Sequence, residues 1–296
     1  MTRPIAKLLT GFATVAALLV VASVIFTLRQ PAPARLRLPQ PNGYDDFVKA
    51  GKMITDDASG YGTMREEELR VFVKKNADEL KLARAGLGRE CRVPVDYSAT
   101  NATHLDDLLV LKRLAFAFTA EGRLAEMENR PGDAAESYLD AVHLGHASTR
   151  GGVIIDSLVG VAVEAIGMAR LENLTQTLDA KQCREVASAL ETAEAGRESA
   201  ETILKEEHAW ARRTFGLKGQ WVRLIMFKST QQIEQRCVAK VKAQQTRTRR
   251  LLIQLAARAC ELEKGERPKS LADLVPTYLK AIPQDPLTGT NMTYRL

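Results

Sequence analysis

The sequence predicts an all-α protein that one N-terminal helix anchors in a membrane. Three observations support this: a long uncharged apolar segment near the N-terminus, helical spacing of apolar residues through most of the remaining chain, and an aromatic content of only 5% without sustained alternation of period two. The predicted order is a short basic tail (1–7), a transmembrane signal-anchor (8–28), a proline-rich linker (29–42), an α-helical domain (43–265) and a C-terminal tail packed on that domain (266–296).

The segment from Leu8 to Leu28 carries no charged residue. As an α-helix its 21 residues would span about 31 Å at ~1.5 Å per residue, which matches the hydrocarbon core of a bilayer. A helix satisfies its own backbone polar groups in lipid, so we expect a single-pass span. A cleaved signal peptide is the alternative, because Ala32-Pro33-Ala34 has a small-x-small pattern, but the apolar run exceeds the roughly 7–15 residues typical of such peptides.

The residues flanking this segment bear on topology. Basic residues are nearly balanced between the two flanks, with Arg3 and Lys7 on one side and Arg29, Arg35 and Arg37 on the other. A very short basic tail ahead of a first span usually stays in the cytoplasm, so we expect the domain to be extracytoplasmic, in the cell envelope. The linker that follows the span contains four prolines, which favour extended polyproline geometry and a semi-rigid spacer (Pro31, Pro33, Pro39 and Pro41).

The net charge of +6 does not point to nucleic acid. Residues 1–37 hold five basic residues and no acidic one, so the rest of the chain is nearly neutral. Within the domain, acidic residues dominate 156–201 and basic residues dominate 205–258. One interpretation is a pair of antiparallel helices whose opposite charges face one another or solvent. The other is a basic helix face that binds anionic lipid or an acidic partner. The basic residues are Arg212, Arg213, Lys218, Arg223, Lys228, Arg236, Lys240, Lys242, Arg247, Arg249, Arg250 and Arg258.

Helical periodicity predicts the elements of the domain. One apolar stripe runs from Leu69 to Leu87, interrupted only by Asn76, and later helices are expected at Ala102–Glu128, Asp133–Leu144, Val153–Leu178, Ala180–Ala211 and Thr230–Lys264. Residues that stop helices place the breaks at Val93-Pro94, Arg130-Pro131-Gly132, Arg150-Gly151-Gly152 and Gly216 to Gly219.

Residues 115–145 contain Glu121-Gly122-Arg123-Leu124-Ala125, Gly132-Asp133-Ala134-Ala135, Tyr138 and Ala141. This stretch resembles a tetratricopeptide repeat, although no second copy occurs at the period of that family. The resemblance implies a helical hairpin with small residues where its helices touch. It also implies a protein-interaction scaffold, in which the adjoining helices bury the faces that neighbouring repeats normally cover.

The C-terminal tail contains Glu263 to Leu271, Leu274-Val275-Pro276, Tyr278-Leu279, Ile282-Pro283, Asp285-Pro286-Leu287-Thr288-Gly289 and Tyr294. It resembles the close of bacterial membrane-anchored helical proteins of uncharacterised function, and loosely that of type II secretion major pseudopilins. In pseudopilins the matching piece is structural and lies near a calcium-binding loop. We expect packing here: Ser270 caps a short helix, and Met292 and Tyr294 form an extended strip. Calcium is not predicted at Asp285, since no second carboxylate lies close by in sequence.

Candidate reactive groups are few. Glu136, Asp140, His143 and His146 lie at helical spacing, but their place near a helix C-terminus accounts for the histidines without a metal. Phosphate-cradling, dinucleotide-binding and nucleophile-elbow motifs are absent from the sequence. We therefore predict no catalytic, cofactor or metal residue. An envelope enzyme with a site assembled from distant helices is the alternative, for example from Glu136, His143 and His208.

Four cysteines occur without a C-x-x-C pair or zinc spacing: Cys91, Cys183, Cys237 and Cys260. An extracytoplasmic domain favours one disulfide, and buried reduced thiols are the alternative. Taken together, the anchor, the spacer and the repeat-like hairpin predict a non-enzymatic, membrane-tethered scaffold that binds a protein partner.

Overall fold

A computed structural model of the chain describes residues 38–95, 102–225 and 227–293, with the backbone alone described at 102–103, 217–225 and 227. Regular structure in these ranges is helical apart from one isolated antiparallel bridge, which confirms the all-α prediction. The predicted tail 1–7, the predicted span 8–28 and the linker up to residue 37 lie outside the described residues. No helix within the described ranges is both long and apolar enough to cross a membrane.

Nine α-helices and one short 3-10 helix are formed by the described residues. They are α1 (Gly43–Met53), α2 (Glu66–Lys75), α3 (Ala77–Leu87), α4 (Ala102–Met127), α5 (Pro131–Ala147), α6 (Ile154–Leu174), α7 (Ala180–Ala195), α8 (Ala200–Ile225), α9 (Phe227–Lys264) and the 3-10 helix Leu271–Leu274.

The first of two large apolar clusters lies among α1 to α4 and reaches the inner faces of α5 and α6. Fully buried Phe47, Leu69, Leu111 and Phe118 form its centre. Asn42 joins the start of α1 to this body: its side-chain amide donates to the Arg92 carbonyl, and its side-chain oxygen accepts from the Arg92 backbone N–H, both at 2.9 Å.

The second large cluster lies among α5, α6, α7, α9 and the C-terminal tail. Met168, Leu190 and Leu255 are buried there, with Leu279 from the tail. Helices α5 and α6 contribute to both clusters, so the two apolar regions belong to one continuous body.

Glycines let α5 and α6 approach backbone to backbone. A Cβ on Gly145 would lie 2.6 Å from the carbonyl oxygen of Gly160, and a Cβ on Gly160 would lie 2.7 Å from that of Gly145. Two turns further along, a Cβ on Gly167 would lie 2.5 Å from the Tyr138 carbonyl oxygen. Any side chain at these positions would separate the helices that join the two halves of the core.

Two of the predicted helices are each broken in two. The stripe from Leu69 to Leu87 is divided at Asn76, whose side-chain oxygen accepts from the Thr55 backbone N–H at 2.8 Å. The helix predicted over Ala180–Ala211 ends at Ala195, and a new helix starts at Ala200 after Ser199, whose hydroxyl accepts from the Thr202 backbone N–H at 3.1 Å. Polar side chains that bond backbone groups favour such breaks, and apolar spacing alone does not show them.

The predicted break at Gly216 to Gly219 is present in part. Gly216 has φ of +54° and ψ of −141°, a backbone conformation that interrupts α8. Helix nevertheless resumes and continues to Ile225, and α9 begins at Phe227, so helix extends further on both sides than the spacing predicted.

Apolar residues of the C-terminal tail belong to the second cluster. Ser270 precedes the 3-10 helix, as expected for a capping residue. The hydrogen bond at this helix start, however, is accepted by the Asp273 side chain from the Ser270 backbone N–H at 2.8 Å. Met292 is buried, and its backbone N–H donates to the Pro283 carbonyl at 2.8 Å. Tyr294, expected beside it, lies outside the described residues.

The expected disulfide is absent, because all four cysteines are free and buried. Cys91 lies in the first cluster, Cys183 and Cys260 in the second, and Cys237 in a small third cluster beside α8. Burial raises the pKa of the Cys91 thiol to about 12 and that of Cys183 to about 11. These thiols are therefore protonated at neutral pH and serve as small core residues.

Candidate partner-binding groove

A groove of about 740 Å³ lies between α2 and α3 on one side and α4 and α5 on the other. Its lining combines apolar side chains with charged ones, and four carboxylates stand against two guanidinium groups. The lining residues are Val73, Arg84, Leu87, Glu121, Leu124, Ala125, Arg130, Asp133, Glu136, Ser137, Leu139, Asp140 and His143.

Arg84 of α3 is the central polar group of the groove. Its Nε donates to Asp140 Oδ2 at 2.7 Å, its Nη1 donates to Glu121 Oε1 at 3.2 Å, and its Nη2 pairs with Glu121 Oε2. The Ser137 hydroxyl donates to Glu121 Oε2 at 2.8 Å, and the guanidinium carbon lies 5.3 Å from the centre of the Phe118 ring. One cation thus serves two carboxylates, which leaves this cluster negatively charged.

The environment of Asp140 perturbs its titration. Burial raises the pKa of this carboxyl to about 6, Glu121 and Glu136 add to the rise, and Arg84 offsets only part of it. Burial lowers the pKa of His143, and His146 lowers it further. The groove therefore holds a carboxyl that exchanges a proton near neutral pH beside an imidazole that favours its neutral form.

The structure brings together three of the residues that the sequence singled out. Glu136, Asp140 and His143 line the groove. His146 points elsewhere, and His208 lies on α8 with its Nε2 2.9 Å from Glu234 Oε1. The set Glu136, His143 and His208 is thus not assembled in one cleft, which removes His208 from the alternative enzyme site.

His146 belongs instead to a buried ionic network with α6 and the α7–α8 connection. Its Nε2 lies 3.1 Å from Glu164 Oε1, and one ligand atom each of His146, Glu164 and Glu194 fall within 4.8 Å of one another. Arg197 already occupies this position: it donates at 2.6 Å to both carboxylates and lies 2.8 Å from His146 Nε2. A metal ion would have to displace this guanidinium, so we interpret the network as structural.

Backbone N–H groups at the glycine turn before α6 donate hydrogen bonds to side chains of the protein itself. Three carboxylates accept its backbone N–H groups: Glu198 from Gly151 at 2.9 Å, Asp156 from Val153 at 2.7 Å and Glu207 from Ile154 at 3.0 Å. Gly151 has φ of +69°, where a side chain would be strained. The turn is therefore satisfied by the chain itself and offers no cradle for an external anion.

The acidic segment 156–201 and the basic segment 205–258 form some ion pairs with each other, as expected if opposite charges on antiparallel helices face one another. Arg247 of α9 donates from two nitrogens to Glu172 of α6, both at 2.6 Å, and Arg249 lies 3.6 Å from Glu194. Near the start of α9, Lys228, Arg236 and Lys240 are exposed and form no ion pair within the described residues. Along the body of α9 the opposite charges therefore neutralise one another, whereas three cations near its N-terminal end have no acidic partner among the described side chains.

The fold and the groove define an all-α domain of antiparallel helices with an acidic, partly apolar cleft at one side. Comparison with protein-family models, curated proteins and solved structures found no match for this chain.

Proposed function

We propose that this protein is a membrane-tethered helical scaffold of the bacterial envelope that binds a partner protein in the groove between α2–α3 and α4–α5. The groove itself is the observation that carries the proposal. The apolar segment 8–28 and the proline-rich linker support the tether, and the short basic tail 1–7 favours an extracytoplasmic domain.

The lining of the groove indicates the chemistry of the partner. Val73 and Leu87 are half-buried and give the groove an apolar wall, while Glu136 is exposed at its edge and has no ion pair within the described residues. Arg84 is held by Glu121 and Asp140, so it does not offset the remaining acidic charge. A partner segment with basic and apolar side chains fits this combination best.

Two valines of α2 provide a matched test of the groove. Val73 lines it, whereas Val71 is 68% exposed on the same helix and is not part of the lining. With a photo-crosslinking amino acid at either position of the full chain in cells, we expect a discrete adduct from position 73 and none from position 71. Glu136→Lys should reduce that adduct by about tenfold, which corresponds to ~1.4 kcal/mol.

Equal crosslinking from both positions, or an adduct that Glu136→Lys leaves unchanged, would contradict partner binding in the groove. Circular dichroism of the Glu136→Lys variant provides the folding control, because Glu136 is exposed and its replacement should leave the helical spectrum unchanged.

A second candidate, an envelope enzyme, is favoured by the raised pKa of Asp140 beside Glu121 and Ser137. Complementation in cells separates the two functions. For an enzyme, Asp140→Asn should abolish function while Glu136→Lys leaves most of it. For a scaffold we expect the opposite order, because Glu136 faces the partner and Asp140 is held by Arg84.

A further inference from the structure

The end of the α8–α9 hairpin, residues 209–236, is called the arm here, and those of its side chains that the structure describes lie outside the core. The last buried side chain on α8 before it is Ile203, and the first on α9 after it is Cys237. None of the side chains described within the arm, at 209–216 and 228–236, is buried. The two helices of the arm therefore stand beyond the small cluster that holds the base of the hairpin against α6.

The composition of the arm differs from that of the body. It carries six Lys or Arg residues and one acidic residue, Glu234, and it contains both tryptophans of the chain, Trp210 and Trp221. Such a mixture of basic and aromatic residues is typical of segments that lie at the surface of an anionic membrane.

The described side chains of the arm present this mixture to solvent. Phe215 is 45% exposed and Ile233 is 53% exposed. Arg212, Lys228 and Arg236 are exposed as well, and no described residue forms an ion pair with any of them. The described part of the arm thus exposes apolar side chains together with cations that form no ion pair with another described residue.

A series of hydrogen bonds links the point where the linker joins the domain to the start of α8, the helix that leads into the arm. Asn42 bonds the backbone of Arg92, the next residue Val93 donates to the Arg150 carbonyl at 2.9 Å, and Gly151 donates to Glu198, just before α8. The nine residues 29–37 would extend about 28 Å at ~3.1 Å each in polyproline geometry.

We propose that this arm lies on the anionic lipid headgroups of the membrane that anchors the chain. The proposal rests on the tether of the proposed function but not on the groove. Arg212, Lys228 and Arg236 meet the headgroups, and the apolar side chains of Phe215 and Ile233 enter the interfacial layer. The bilayer is the favoured occupant because the charges are complementary and because the proposed tether keeps the whole domain at the membrane surface.

Tryptophan fluorescence of the full chain tests this contact, because both tryptophans belong to the arm. The chain is reconstituted in phosphatidylcholine vesicles with or without phosphatidylglycerol, and brominated lipid serves as the quencher. In anionic vesicles we expect a blue shift of the emission and loss of most of its intensity to the quencher. Both effects should be weak in neutral vesicles and should diminish as salt is added.

The variant Arg212→Gln/Lys228→Gln/Arg236→Gln should lose the anionic-lipid effect. Lys49→Gln/Lys74→Gln/Lys81→Gln removes the same charge from exposed lysines of α1, α2 and α3 and should keep it. Quenching that is equal in neutral and anionic vesicles, or equal in the two variants, would overturn the proposal. So would unquenched emission with arm-to-arm crosslinks between two copies. Extraction of the full chain from the vesicles by alkali would indicate failure of the tether instead.

Discussion

Replacing Arg197 by methionine is expected to lower the free energy of unfolding by about 3–5 kcal/mol, because it leaves a buried carboxylate without its guanidinium partner. That carboxylate is Glu164 of α6, whose side chain is only 1% exposed. Burial alone would raise the pKa of Glu164, but His146 and Arg197 outweigh it and lower the pKa to about 2. Chemical denaturation followed by circular dichroism measures the loss.

The pH dependence of stability follows from the same shift. A carboxyl whose pKa is lower in the folded state stabilises the fold above its unfolded pKa of about 4.3, and this contribution is lost as the pH falls toward 2. The Arg197→Met variant should therefore unfold at a higher pH during acid titration than the original chain.

Two control variants separate this effect from the general loss of an ion pair. Arg247→Met removes a half-exposed pair with Glu172 and should cost no more than about 1 kcal/mol. Adding Glu164→Met to Arg197→Met removes the more deeply buried of the two carboxylates that Arg197 serves and should restore part of the lost stability. A loss below ~1 kcal/mol for Arg197→Met would show that the network does not hold α6 and the α7–α8 connection together.

Replacing Gly160 by valine is expected to destabilise the domain by about 3 kcal/mol or more. A Cβ at this position overlaps Thr149 and lies 2.7 Å from the Gly145 carbonyl oxygen, so the backbones of α5 and α6 must separate. Both helices contribute to the two large clusters, and the disturbance therefore reaches both. Denaturant unfolding of the full chain in detergent measures the effect.

Gly88→Ala is the matched control for this substitution. A Cβ there would lie 3.6 Å from its nearest neighbour, the Ala85 carbonyl oxygen, and the backbone has φ of −79°, which alanine adopts without strain. We expect no loss of stability at Gly88. Similar losses at Gly88 and Gly160 would contradict the close approach of α5 and α6.

The helical character of the domain was predictable because it depends on local sequence. Apolar spacing predicted α4, α5, α6 and most of α9, and Pro131 marks the start of α5 where a proline is tolerated. The breaks at Asn76 and Gly196 were missed. Each depends on side-chain or backbone bonds that are visible only once the neighbouring segment is in place.

The candidate groove was predictable only in part, for a similar reason. Glu136, Asp140 and His143 share one face of α5 because of their spacing, so the sequence already grouped them. Arg84 and Glu121 complete the cluster from α3 and α4, which are distant along the chain. Only the packing of those helices brings the five side chains together.

The hairpin of α4 and α5 has a glycine at the contact between its two helices. A Cβ on Gly122 would lie 2.7 Å from Cδ1 of the Tyr138 ring, so a small residue does lie where the two helices touch. The tetratricopeptide resemblance predicted small residues at such a contact. Membership of that family stays a prediction, because a glycine against an aromatic ring occurs in many helical hairpins.

Alkaline carbonate extraction of membranes that carry the full chain is the most direct test of the proposed tether. We expect the full chain to stay in the membrane pellet, since residues 8–28 would form a spanning helix. A variant that begins at residue 38 should be released into the supernatant. Release of the full chain, or a mature N-terminus downstream of residue 34, would contradict membrane tethering and leave the groove without its proposed setting.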